Sequence, residues 1–118
     1  MVNTYLDIAY AKIIDGVKIQ ILHQDDSMVM TEFTLRKGAV LPEHSHQNSH
    51  SAYLLRGKIR LTTDETVRDF VQGDSWSMNR DICHSTLALE DSVILEVFAS
   101  EHSDHGFEVS TPANKIDI

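Results

Sequence analysis

GAVLPEHSHQNSHSAYLLRG, residues 38–57, decides how this chain is read. It places His44, His46 and His50 within seven residues. Alternate side chains of a strand share a face, so His44 and His46 can aim at one point. Gln47-Asn48-Ser49 is polar and suits a turn. A chain that turns there and returns along Ser51-Ala52-Tyr53-Leu54-Leu55 can bring His50 back to the same point. Three convergent imidazoles are the donor set of a divalent transition metal, and zinc, manganese, iron, nickel and copper all accept it.

Outward from this stretch the sequence alternates in short runs. Asp15-Gly16 marks a turn, and Val17 to Ile21 alternates apolar and polar. Gln24 to Ser27 is a polar turn, and Met28 to Leu35 reads as a second strand. Past Gly57, runs at Ile59–Leu61, Thr66–Val71, Ser75–Met78, His84–Leu89 and Ser92–Ala99 are separated by polar turns. About eight short strands with no amphipathic helix between them predict an all-β sandwich or barrel. Residues 100–118 lose the alternation and read as a tail.

The bulk properties bound the function. With 118 residues there is material for one domain and one core. A net charge of −8 argues against a nucleic-acid partner. No apolar run approaches the ~20 residues that span a bilayer, so no membrane association is expected. The start, Met1 to Asp7, lacks the pattern of a secretory leader, and the lone Cys83 rules out an internal disulfide framework. Both fit a reducing, cytoplasmic setting.

The intervals then become recognisable. Gly38, His44, His46, His50 and Gly57 stand where the first cupin motif, G-x5-H-x-H-x3-E-x6-G, has its fixed residues, with His50 in the glutamate place. Gly73 and His84 match the second motif, G-x5-P-x-G-x2-H-x3-N, while Asn79, Asp81 and Ala88 stand at its proline, glycine and asparagine places. The chain thus resembles the small single-domain cupins (RmlC-like barrels). The resemblance implies one antiparallel jelly-roll domain over residues 1–118, with its barrel at about 17–99. It also implies one divalent metal ion, held by His44, His46, His84 and His50.

Two groups of small cupins share further detail. The HxHx3H pattern resembles four-histidine cupins, some with manganese and oxygenase-like chemistry. Gly16-Val17-Lys18, Met28 to Glu32, Lys37-Gly38-Ala39, Pro42 and His44-Ser45-His46 resemble the cupins that linearise unsaturated uronates in pectin and alginate breakdown. In that group an acidic residue and a phenylalanine stand at the positions of Glu96 and Phe98. An arginine follows there, where this chain has Ser100-Glu101-His102.

The residues support these expectations. Glu96 is the candidate proton carrier, with Phe98 on the same strand face. Met28, Met30 and Glu32 also share a face, which makes Glu32 and Met30 candidates for the pocket wall. Both carboxylate-bearing faces could equally be outward. His50 in place of a glutamate leaves the ion's double charge uncancelled, which favours a small anionic ligand. His50 could also hydrogen-bond from outside the ligand set. Trp76 and Cys83 read as packing residues, His23 has no assigned role, and His102, Asp104 and His105 read as a solvated tail. The leading expectation is lyase or isomerase chemistry on an anionic metabolite such as an unsaturated sugar acid. A metal-dependent dioxygenase and a non-catalytic ligand-binding module are the alternatives. A homodimer is expected from the resemblance, with Tyr5 to Ala11 as a strand at its interface.

Overall fold

The computed structural model describes residues 14–44, 49–79 and 82–99, with 42–44 described by backbone alone. Tyr5 to Ala11, His46 and the segment 100–118, including His102, Asp104 and His105, lie outside the described residues. Nine strands form among those described. They are β1 (Val17–Gln24), β2 (Met28–Leu35), β3 (Val40–His44), β4 (His50–Arg56), β5 (Lys58–Thr63), β6 (Val67–Val71), β7 (Ser75–Met78), β8 (His84–Ala88) and β9 (Ser92–Ala99).

They build two antiparallel sheets, ordered β1-β2-β9-β4-β7 and β3-β8-β5-β6. Apart from the hairpins β1-β2 and β5-β6, neighbours in a sheet are distant in sequence, as in β2 beside β9 and β5 beside β8, so the layers interlock as a jelly roll. The all-β antiparallel expectation is met. β1 runs on to Gln24, past the expected strand end at Ile21. A bulge between Ile21 and His23 absorbs the extra residue. Asp25 then closes the turn by accepting the backbone N–H groups of Ser27 (2.8 Å) and Met28 (3.0 Å), and its side chain also meets His23 Nε2 at 3.1 Å.

Alternation sends one residue in two into the space between the sheets. Leu35, Leu54, Ile59 and Ile94 are fully buried there, and Phe33, Leu41 and Phe70 pack around them. Burying each such side chain contributes about 1.5–3 kcal/mol. Trp76 is half-buried and stacks on Phe70 with ring centroids 4.4 Å apart, a packing role.

Gly57 fixes the sharp link between β4 and β5. Its φ is +93°, and a Cβ there would strike the Ser92 hydroxyl and the Asp91 carbonyl. The close approach lets the Lys58 N–H donate to Ser92 Oγ at 3.1 Å. Among the described residues no helix is long and apolar enough to cross a membrane.

Candidate functional site

The strands that carry the apolar core change character at one end. β4 begins with His50, whose register partners are Phe98 on β9 and Met78 on β7. One step inward, Ala52 pairs with Glu96, and Thr31 of β2 pairs with Glu96 from the other side. In the facing sheet β8 begins with His84, which lies in register with Thr63 of β5 and with the backbone of His44 on β3. His50, His84, Glu96, Thr31 and Thr86 are all buried, and all point inward by alternation.

The two described imidazoles approach across the gap between the sheets. Their ring centroids are 5.7 Å apart with planes tilted by 42°. The Phe98 ring lies 4.7 Å from that of His50 and screens it on one side. His84 Nδ1 lies 2.9 Å from the carbonyl oxygen of Ile82. A carbonyl only accepts, so Nδ1 carries the proton and Nε2 keeps its lone pair in the neutral ring. Burial also lowers the pKa of His84 and so favours that neutral form, the one that ligates metals.

Glu96 Oε2 stands 3.9 Å from His50 Nε2, too far for a direct hydrogen bond. Burial pushes the Glu96 carboxyl up to about 8, because the charged form loses its water. Its backbone carbonyl accepts from Thr31 Oγ1 at 3.3 Å, a further tie between β2 and β9.

The arrangement thus brings His50, His84, Glu96 and Phe98 together, with the backbone of His44 beside His84. Among the described residues no three His, Cys, Asp or Glu side chains already gather as a metal cage. Two of the four candidate ligands, His44 and His46, have no described side chain.

Glu32 and Met30 are corrected. They pair with Leu95 and Val97 on the outward side of the sheet, whereas their neighbours Val29, Thr31 and Phe33 point inward. The inward face of β2 is set by Val29, Phe33 and Leu35, all nearly free of solvent. Sequence reading missed Thr31, Thr86 and Met78 as neighbours of the site. Parity relative to those buried residues was the available signal for Thr31. Cys83 is half-buried beside the site strand.

Comparison with known proteins agrees with this architecture. The Cupin domain family matches residues 31–100 of the 118. The pectin degradation protein KdgF of Dickeya dadantii (strain 3937) is 26% identical over 92 residues, covering 76% of this chain and 84% of that protein. The structure of KdgF from Halomonas sp. superposes with a TM-score of 0.70 at 21% identity, covering 75% of this chain and 83% of that one. An RmlC-like cupin from Shewanella frigidimarina gives 0.69 at 21% identity, covering 75% of this chain and 80% of the other. With its family match spanning more than half of its length and its strands closed into the same jelly roll, this chain belongs to the cupin family.

Proposed function

We propose that the polar end of this barrel is the active site of a metal-dependent enzyme acting on a small anionic metabolite. The proposed chemistry is of the lyase or isomerase type, with an unsaturated sugar acid as the most specific candidate. His50 and His84 would hold the ion together with His44 and His46. The approach of buried His50 to both His84 and Glu96 at one end of the barrel carries this reading. The donor chemistry fits. Both described rings are buried, and the Ile82 carbonyl fixes the tautomer of His84 so that Nε2 faces away from the backbone.

When bound, the ion supplies Lewis acidity toward a carbonyl or carboxylate oxygen. The rest falls to the chain's own groups. Glu96 Oε2 gives and takes the proton at the substrate carbon, because among the described residues it is the buried carboxyl and it stands beside His50. Its raised pKa keeps both protonation states accessible near neutral pH, the condition for acid–base work. Phe98 shields the His50 ring and excludes water from that side. The sugar-acid assignment draws on the likeness to a pectin degradation protein.

The test uses the purified protein loaded with each candidate metal and assayed with unsaturated uronate monomers by loss of their absorbance. Wild type should retain metal and turn over. Glu96→Gln should retain metal and lose at least 100-fold in kcat, the usual scale for a lost general acid–base group. His84→Ala should lose metal on elemental analysis. Equal metal in wild type and His84→Ala would sink the reading, as would full turnover by Glu96→Gln. Oxygen consumption during turnover would move the protein to the dioxygenase alternative.

A further inference from the structure

Three hydroxyl side chains are buried among the described residues: Thr31, Thr86 and Ser92. The fold uses two of them. Thr31 donates to the Glu96 carbonyl at 3.3 Å. The Ser92 hydroxyl accepts from the Lys58 N–H at 3.1 Å and donates to the Glu90 carbonyl at 2.8 Å. Thr86 is only 6% exposed, yet its hydroxyl makes no hydrogen bond with the described residues. Its neighbours across the strands are Leu41 on β3 and Leu61 on β5, both buried and apolar. A buried hydroxyl without a partner opposes folding, and a valine of the same branched shape would not. Packing alone therefore gives no reason for a threonine here. The oxygen is also not fully enclosed, and by alternation it opens toward the space between the sheets.

The register places that space. Thr86 lies two residues beyond His84 on the same inward face of β8. In the other sheet Glu96 and Ala52 form the row next to that of Phe98 and His50, again one step inward. The two imidazoles meet across the gap with ring centroids 5.7 Å apart. Thr86 and Glu96 are thus the next polar positions beneath them, one from each sheet. The Glu96 carboxyl is likewise unused by the fold. It makes no hydrogen bond with the described residues, and its side chain keeps 11% exposure.

The chemistry of this floor selects its ligand. A threonine hydroxyl carries no positive charge, so it does not serve to hold an anionic group. It donates one hydrogen bond and accepts others, which suits a hydroxyl group. We propose that Thr86 is a specificity-determining residue of the site, binding a hydroxyl group of the substrate on the side of the pocket that faces Glu96. The substrate is then a hydroxylated acid, with its anionic end toward the imidazoles and a hydroxyl toward Thr86. This inference rests on the reading of the polar end as the active site and narrows the ligand class within it. A site built around a substrate hydroxyl rejects analogues that lack it.

The test compares galacturonate with cyclohexanecarboxylate, two ring acids of equal charge, one with hydroxyls and one without. Their binding to the metal-loaded full chain is measured by calorimetry. Wild type should prefer galacturonate. Thr86→Val should reduce that preference roughly 5–10-fold, the scale of one neutral hydrogen bond, and leave cyclohexanecarboxylate bound no more weakly. Thr86→Ser, which keeps the hydroxyl, should restore the preference. Thr86→Val should also retain metal and melt no lower than wild type when metal-free, because no internal hydrogen bond is lost. A wild type without the preference, or a Thr86→Val that keeps it, would overturn the role of Thr86 while metal retention and turnover of unsaturated uronates leave the active-site reading standing. A Thr86→Val that fails to fold or melts well below wild type would show that the fold itself uses the hydroxyl, and would overturn the role as well. Loss of metal and turnover in wild type would instead bring down the active-site reading, and this inference with it.

Discussion

The interior of this barrel has two ends built on the same strands. β4 carries His50 at one end and Leu54 toward the other. β8 runs from His84 to Ala88, β9 from Phe98 and Glu96 down to Ile94, and β2 from Thr31 to Leu35. At the apolar end, Leu35, Leu54, Ile59 and Ile94 interlock with almost no exposed surface. At the polar end, buried positions hold two imidazoles, a carboxyl and two threonines. Burying a polar group carries a desolvation cost that burying an apolar one does not, so the first end contributes more stability per buried residue than the second. The molecule divides its labour along each strand rather than between strands.

The largest effect should come from the apolar end. Gly57→Val forces a β-branched residue to φ +93° and drives its side chain into the Ser92 hydroxyl and the Asp91 backbone. The expected outcome is failure to fold, read as insoluble expression or the loss of a cooperative thermal transition. Gly38→Ala is the control. Gly38 also has positive φ, but nothing lies within 4 Å of a Cβ there, so it should fold with reduced stability.

Leu54→Ala comes next. Leu54 has 0% exposure and packs among residues from both sheets, so its truncation leaves a cavity that the sandwich cannot collapse. A loss of about 2–5 kcal/mol in urea unfolding is expected. His50→Ala, on the same strand, should cost distinctly less in metal-free protein. Equal costs at the two positions would erase the contrast between the ends.

This contrast was only partly legible in the sequence. The all-β barrel was readable because short alternating runs are punctuated by Asp-Gly, Gly-Asp and other polar turns. His50 and His84 were readable as neighbours because their intervals match two motifs that a jelly roll brings together. The facing of β2 was not. Met28 and Met30 on one side compete with Val29, Phe33 and Leu35 on the other, so both faces look apolar and alternation cannot choose between them. The outward face is apolar at its centre, and that feature made Glu32 and Met30 look like pocket residues. β9 has the same ambiguity, with Val93, Leu95 and Val97 against Ile94, Glu96 and Phe98, and there only the family pattern favoured the correct side. The bulge in β1 carries no local signal at all.

The polar end should also reveal itself in the pH dependence of stability, measured on metal-free protein. The folded-state pKa of Glu96 is raised from an ordinary 4.5 to about 8, so the native state holds a proton that the unfolded state releases. Its favourable contribution is therefore complete below about 4.5, declines as pH rises, and is gone above about 8. His84 acts with the opposite sign. Its lowered pKa makes its contribution complete above the ordinary 6.5 and erodes it as pH falls. The difference between wild type and Glu96→Gln isolates the carboxyl. Chemical denaturation from pH 5 to pH 9 should show wild type losing stability relative to Glu96→Gln as pH rises. A flat difference would mean that Glu96 is solvated and outside the dry end of the barrel.

The smallest effect is the most diagnostic of why the polar end exists. Thr31 is wholly buried, and its hydroxyl donates at 3.3 Å to the Glu96 carbonyl. That distance is long for an O–H donor, so the bond contributes little. Thr31→Val keeps the branched shape that suits a strand and replaces the hydroxyl with a methyl group. Its net cost should be no more than about 1 kcal/mol, the scale of one ordinary hydrogen bond. A cost as large as that of Leu54→Ala would show that the polar end is a structural network in its own right. A cost near zero, with altered activity, would show that Thr31 is retained for the backbone position it gives Glu96. The second outcome is expected, because a buried polar group with one long hydrogen bond gives folding almost nothing that a methyl group would not.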